Sequence, residues 1–346
     1  MATHTVAVYG ITGHTGHFVG SELERRGVAV RGIARRPRLE SDPQKDEESG
    51  RWASASCDDP DALDRALEGT DAVINCAGPF LDTAPAIVEA ALRAGVHYLD
   101  IAAEQRSVRS TLATYGPEAA DRGVVVLPAM AFYGGLADLL ASQICAGLPV
   151  IDEILIGVAL DYWHPTAGTR HTGERNTARS VVVSGGRLAP LPSPSAKGCW
   201  RFPLPFGDLP VVSVPLSEII TISRHIPVSR VESFMNEAPL NDLRRADTPP
   251  PTTTEPNGRS NQKFVMDVYA SCGGRRRRIS ASGHDIYAVT APLVVEACMR
   301  LVSDRHVKVG AFAPAELFDS QNFLAALSAD ICVQSVDESF PLNMLQ

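Results

Sequence analysis

Through the first 130 residues, short apolar runs alternate with segments of helical period. Val6 to Tyr9 is a β-branched apolar run that suits a strand buried on both faces. Phe18, Val19 and Leu23 then recur at helical spacing up to Arg26. Further strands are predicted at Val28–Ala34, Trp52–Cys57, Asp71–Cys76, His97–Ile101 and Val124–Pro128. Helices are predicted between them, over Leu63 to Gly69, Thr83 to Ala94 and Val108 to Arg122. At Asp58-Asp59-Pro60-Asp61 a capping acid and a proline in the first turn mark a helix start. The stretch Leu39 to Arg51 is polar and reads as a surface loop. Strand and helix in strict alternation predict an α/β fold with a doubly wound parallel sheet.

The pattern then changes. A helix is expected at Gly134–Ile144, and strands at Ile151–Leu160, Ser180–Val183, Glu218–Ile222 and Lys263–Ser271. A polar stretch from Asp161 to Asn176 and proline-rich loops at 190–194, 203–210 and 248–256 separate them. Apolar helices follow at Ala288–Val302 and Pro314–Leu327. The expected division is a doubly wound domain at 1–149 and a β-rich α+β domain at 150–285. Helices at 286–346 are expected to return to pack on the first domain.

Composition changes little in this picture. The 346 residues, 45% hydrophobic and 21% charged, describe a globular chain with room for two lobes. A net charge of −8 disfavours a nucleic-acid surface. The basic run Arg275–Arg278 follows Gly273-Gly274 and reads as a solvated turn leading into a strand. Seven scattered cysteines, without a C-x-x-C pair, indicate reduced thiols and offer no zinc spacing, so no metal is expected. No apolar run approaches a membrane span and the first strand starts near residue 5, so a cytoplasmic protein is expected.

Candidate chemistry begins at Gly10-Ile11-Thr12-Gly13-His14-Thr15-Gly16, between the first strand and the first helix. Glycines here permit a tight turn, close approach to a pyrophosphate and close helix–strand packing, while the helix start faces the anion. This is the phosphate-binding corner of a Rossmann unit, in the G-x-x-G-x-x-G spacing. The second strand ends in Ala34-Arg35-Arg36-Pro37, with no acid before Glu40. An acid there would serve the ribose hydroxyls of NAD; Arg35 and Arg36 suit the 2′-phosphate of NADP instead. The fourth strand runs into Cys76-Ala77-Gly78-Pro79-Phe80, the turn expected near the nicotinamide ribose. Asp58, after the third strand, and Asp100, ending the fifth, complete the cofactor-binding candidates. Cys76 has no basic neighbour in sequence and reads as a small buried filler.

The proton of a reduction needs its own group. A Tyr-x-x-x-Lys pair is excluded, because Lys45, Lys197, Lys263 and Lys308 follow Ser41, Ser193, Arg259 and Asp304 at that spacing. The candidates are Glu104, Tyr133, Tyr162, His164 and His171. Asp100 and Glu104 follow a strand whose end faces the cleft, and are equally read as helix caps. Tyr162, His164, Arg170, His171, Arg175 and Asn176 gather hydroxyl, imidazole and guanidinium groups in one loop. A histidine there can donate a proton and an arginine can clamp a carboxylate or phosphate. His225 and His284 are weaker candidates.

Gly-Ile-Thr-Gly-His-Thr-Gly at 10–16, Asn75-Cys-Ala-Gly-Pro-Phe80, and Gly95-Val-His-Tyr-Leu-Asp100 with Glu104 together resemble the saccharopine dehydrogenase-like oxidoreductases. They are also similar to trans-acting enoyl reductases. The resemblance covers residues 5–145. It implies an N-terminal NADP-binding Rossmann domain, a β-rich substrate and dimerisation domain, and helices completing the first lobe. It maps the cofactor turn onto Gly10–Gly16, the nicotinamide-side loop onto Cys76–Phe80, and the acidic segment onto Tyr98, Asp100 and Glu104. Leu127–Tyr133 departs from the glycine-rich proline turn of relatives, and residues 150–285 carry no lysine-pathway substrate signature. The expectation is an NADP(H)-dependent reductase, homodimeric, acting on a small-molecule or carrier-linked C=N, C=C or C=O compound. A redox sensor that holds NADP without turnover, or a cyclase-like enzyme using it structurally, remains open.

Overall fold

The computed structural model describes residues 4–35, 50–255, 258–304 and 308–338. Arg36 and most of the polar loop expected from Leu39 lie outside the described residues. By internal contacts the chain groups into two units. One holds the residues up to Ala131 with His171–Asn176 and Thr290–Phe312; the other holds Phe132–Arg170, Thr177–Val289 and the chain from Ala313. The boundaries thus differ from the expected 149 and 285. Helix Thr290–Ser303 groups with the first unit, whereas the chain from Ala313 groups with the second.

The first unit is a parallel sheet of β1 (Thr5–Tyr9), β2 (Ala29–Ala34), β3 (Trp52–Ser54), β4 (Ala72–Asn75), β5 (His97–Asp100) and β6 (Val125–Leu127). Their spatial order is β3-β2-β1-β4-β5-β6, and a two-residue strand, Gly310–Ala311, lies on β6. Val6 stands opposite Val30 on one side and Ala72 on the other, so the order reverses at β1. A ligand crevice is expected at the carboxyl ends beside that switch point. Val6, Ala7 and Val8 have no solvent exposure, as the β-branched run requires. Helix His14–Arg25 buries Phe18, Val19 and Leu23, and Arg26 just beyond it pairs with Glu296 of helix Thr290–Ser303 at 2.5 Å. Helix Pro60–Leu67 is capped by Asp59, whose carboxylate accepts from the Ala62 N–H. The helix expected over Val108–Arg122 is two, Gln105–Thr114 and Gly116–Asp121, because Pro117 starts a new helix and cannot continue an old one.

The second unit is a mixed sheet of β7 (Ile151–Leu160), β8 (Val181–Ser184), β9 (Arg187–Pro190), β10 (Lys197–Arg201), β11 (Asp208–Ser213), β12 (Val228–Asn236), β13 (Lys263–Cys272) and β14 (Arg275–His284). The order is β10-β11-β12-β7-β13-β14, followed by the strand Cys332–Glu338, with the β8–β9 hairpin on β12. Trp200 is fully buried on one face, and a Cβ at Gly157 would lie 2.4 Å from its ring. Its indole donates to Asp267, which also pairs with Arg278.

Four expectations give way here. Arg275–Arg278 is strand, not turn: Gly273 and Gly274, at φ +54° and +79°, make the turn. Arg277 donates to the Ile144 and Ala146 carbonyls that end helix Ala137–Cys145. Glu218–Ile222 is the start of helix Glu218–His225, and the polar stretch after Asp161 contains helix Ala167–Arg175. Finally, the helix Ala137–Cys145 is entered through a π-helical turn, Phe132–Leu136.

Candidate functional site

At the cofactor corner the glycines have separate roles. Gly10 takes φ +81°, donates to the Ile33 carbonyl at 2.9 Å, and has no room for a Cβ against Ala77. A Cβ on Gly16 would stand 2.1 Å from the Gly10 carbonyl oxygen, so helix and turn meet backbone to backbone. Gly13 caps helix His14–Arg25 without a side chain, and no acid stands in the first turn. That helix start therefore carries no side-chain cap, and Thr12 and Gly13 beside it are exposed. His14 stacks edge-on with Phe18, and Thr15 is half-buried. The Ile11 side chain packs instead, filling the space above Gly20 and Gly32.

Arg35 is exposed at the end of β2, and its charge acts on Tyr9 and Cys57. Tyr9 Oη and Cys57 Sγ are 3.1 Å apart. Burial raises both groups above their ordinary values, so Arg35 faces a neutral pair. Asp58 is exposed beside them. Arg36 lies outside the described residues.

The Cys76–Phe80 loop is held along its length. Cys76 donates to the Tyr9 carbonyl at 2.8 Å, and Ala77 donates to Asn75 Oδ1 at 3.0 Å. Thr83 returns its hydroxyl to the Ala77 carbonyl, and Phe80 N–H donates to Glu104 Oε1 at 2.9 Å. The Gly78–Pro79 bond is cis. Burial, then the charge of Asp100, pushes the Cys76 thiol far up, as expected of a filler.

The acidic segment is turned to the backbone. Asp100 accepts from Ala102 and Ala129 N–H groups at 2.9 and 2.7 Å, and from the Tyr98 hydroxyl at 2.9 Å. It holds Ala129 at φ +59°, a conformation that costs an L-residue energy. Glu104 is spent on Phe80 and Ala103 and has no side-chain bond to the helix it precedes. Burial raises both carboxyls, although the backbone donors oppose it. In this geometry the two acids position loops.

Residues 171–176 lie in the first unit with that loop. A Cβ at Gly78 would be 2.6 Å from Thr172 Oγ1, and Arg175 grips Asp82 through two bonds of 3.0 and 2.8 Å. His171 is 69% exposed and 3.8 Å from Glu174.

The other candidates belong to the second unit. The Tyr162 and His164 ring centroids are 4.6 Å apart with the planes tilted by 45°, and the Tyr162 hydroxyl donates to Asn261 at 3.1 Å. Arg170 is occupied by the carbonyls of Leu243, Arg245 and Thr248. The Tyr133 ring lies on the π-helical turn, 6.3 Å from Trp163. Its hydroxyl is buried without a hydrogen-bond partner among the described residues. Burial, then Tyr287 and Glu218, raises it. Sequence reasoning did not single out Tyr287 or Glu218, whose charges act on Tyr133. Glu218 was hidden by the strand reading, which gives such a residue a solvent face. Among the described residues no cluster of three or more His, Cys, Asp or Glu is placed to hold a metal. No described helix is long and apolar enough to cross a membrane.

Sheet order, glycine corner and a helix start without a side-chain cap are those of a dinucleotide-binding fold. Residues 6–127 match the family model of the saccharopine dehydrogenase NADP binding domain, so NADP(H) is its cofactor. Over that stretch the N-terminal unit is similar to saccharopine dehydrogenase-like NADP-binding proteins. A mouse saccharopine dehydrogenase-like oxidoreductase is 28% identical over 152 residues, 39% of this chain and 35% of the relative. A lipid droplet localized protein of Caenorhabditis elegans is 27% identical over 151 residues, 40% of this chain and 35% of its own. The match thus spans about a third of these relatives' length. The apo saccharopine dehydrogenase (L-Glu forming) of Saccharomyces cerevisiae shares the fold, with TM-score 0.64 and 13% identity over 96% of this chain and 100% of that one.

Proposed function

We propose that the chain is an NADP-dependent reductase that adds a hydride and a proton across a C=N, C=C or C=O bond. The substrate is a small organic or carrier-linked biosynthetic intermediate, and the enzyme works as a homodimer in the cytosol. The observation that carries this reading is the rigid Cys76–Phe80 loop, held by Asn75, Thr83 and the buried Glu104. A protein that merely stores a dinucleotide gains little from fixing the nicotinamide side; one that transfers hydride needs it within a few tenths of an ångström. The helix start at Gly13–Gly16 would take the pyrophosphate and Arg35 the 2′-phosphate. When bound, NADPH supplies the hydride, and the chain must hold the acceptor and manage one proton.

The test is NADPH consumption with pyrroline, cyclohexenone and cyclohexanone as C=N, C=C and C=O probes. Reduction of at least one is expected. Tight NADPH binding with none of the three reduced would contradict the reductase reading and favour the sensor.

A further inference from the structure

The proline-rich loop at 203–210 has no part in the reductase reading. It borders a cavity of about 560 Å³ whose lining lies wholly within the second unit. Small-molecule sites run to roughly 300–1,000 Å³. The floor is sheet: Val265, Ser282 and Cys332 stand side by side across β13, β14 and the strand Cys332–Glu338. Two residues along the same face, Lys263 stands opposite His284. One wall is the loop itself, closed by the Phe202 N–H on the Gly207 carbonyl at 2.9 Å. Phe206 packs back on the Trp200 cluster, whereas Leu204 is 88% exposed, more than any other large apolar side chain among the described residues. The opposite wall, residues 328–331, is pinned by Asp330 to Arg259 at 2.8 Å. A Cβ at Gly283 would stand 3.1 Å from the Asp330 carbonyl oxygen, so that wall closes directly on β14.

The two ends of this cavity differ in chemistry. Leu204, Phe206 and Val265 make one end apolar. At the other, Lys263 and His284 are exposed, and neither side chain makes an ion pair or hydrogen bond among the described residues. The acids beside them are already spent. Asp330 is held by Arg259, and Asp161 Oδ1 accepts the Lys263 and Tyr162 N–H groups at 2.9 and 3.0 Å. A positive charge and an imidazole therefore face the cavity with no acid of the chain assigned to them.

We propose that this cavity binds an amphipathic monocarboxylate, with its carboxylate on Lys263 and His284 and its hydrocarbon body along Val265, Phe206 and Leu204. The ammonium supplies charge and donors, and the imidazole supplies a further N–H donor. Lys263 and Val265 are two residues apart on one strand, about 7 Å, so an extended chain of several carbons reaches from the head group to the apolar end. Both ends are needed. An exposed ion pair by itself adds little affinity, and the apolar end by itself selects no head group. The assignment does not depend on the reductase reading and stands if that reading fails.

The experiment titrates the full-length protein calorimetrically with octanoate, acetate and 1-octanol. Octanoate should bind at least fivefold more tightly than either acetate, which lacks the body, or octanol, which lacks the charge. Lys263→Gln and Leu204→Ser each change one exposed side chain, so melting temperatures should hold while octanoate binding weakens at least fivefold. Cys332 reports the place. In a Cys199→Ser background, which removes the other exposed thiol among the described residues, octanoate should slow labelling of Cys332 by the neutral reagent N-ethylmaleimide. No octanoate binding would overturn the proposal. So would octanol or acetate binding as tightly as octanoate, or octanoate binding that both variants leave unchanged.

Discussion

Gly16 and Glu218 show how much can rest on single residues. In Gly16→Ala the new methyl would stand 2.1 Å from the Gly10 carbonyl oxygen, a backbone atom that cannot swing aside. The turn must open, so NADPH should bind at least tenfold more weakly, about 1.4 kcal/mol, and the melting temperature should fall. Unchanged affinity in a titration would mean that the corner tolerates a Cβ. Burial pushes the Glu218 carboxyl from its ordinary 4.5 up to about 7, with Leu216 N–H and Ser233 opposing. Its Oε2 has no hydrogen-bond partner among the described residues. A folded-state value above the unfolded one means stability that is complete below pH 4.5 and lost as pH rises through 7. Glu218→Gln, neutral throughout, should flatten that slope. Denaturation at pH 5 and pH 8 should therefore show the variant gaining on wild type at the higher pH.

Elements were legible wherever one periodicity dominated. The six strands of the parallel sheet follow from their apolar runs, and β7 has the bounds its pattern predicts, Ile151–Leu160. Glu218–Ile222 misled because Ile219, Ile220 and Ile222 with a threonine between them suit a strand locally, while tertiary packing buries Glu218 and Thr221 as well. Helix Ala167–Arg175 buries no residue, so it has no apolar period to announce it. Of the candidate site, the tight turn at Gly10–Gly16 was readable from spacing, Gly10 taking φ +81°. The positioning roles of Asp100 and Glu104 were not, because they depend on backbone N–H groups brought from elsewhere in the fold. At this scale helix Glu218–His225 is also tied by His225, whose Nε2 lies 2.7 Å from buried Asp138 Oδ1. Burial opposes the charged imidazole, but the bond and charge of Asp138 outweigh it and raise its pKa above 6.5. The pair's contribution is therefore full below pH 6.5 and declines as pH rises through the raised value. Asp138→Asn should remove that dependence, and parallel denaturation curves for variant and wild type across pH 6–8 would contradict it.

Over the whole molecule, residues 6–127 carry the match to an NADP binding domain. In the first unit a glycine corner, a helix start without a side-chain cap and Arg35 are the groups proposed to hold NADP(H). Everything downstream depends on the first unit reading the 2′-phosphate, since β2 ends in arginine where an NAD site has an acid. Calorimetric titration of the purified protein with NADPH and with NADH measures that discrimination. NADPH should bind at least tenfold tighter than NADH, with Arg35→Ala weakening NADPH and leaving NADH unchanged. Equal affinities for the two, or equal losses in Arg35→Ala, would contradict it.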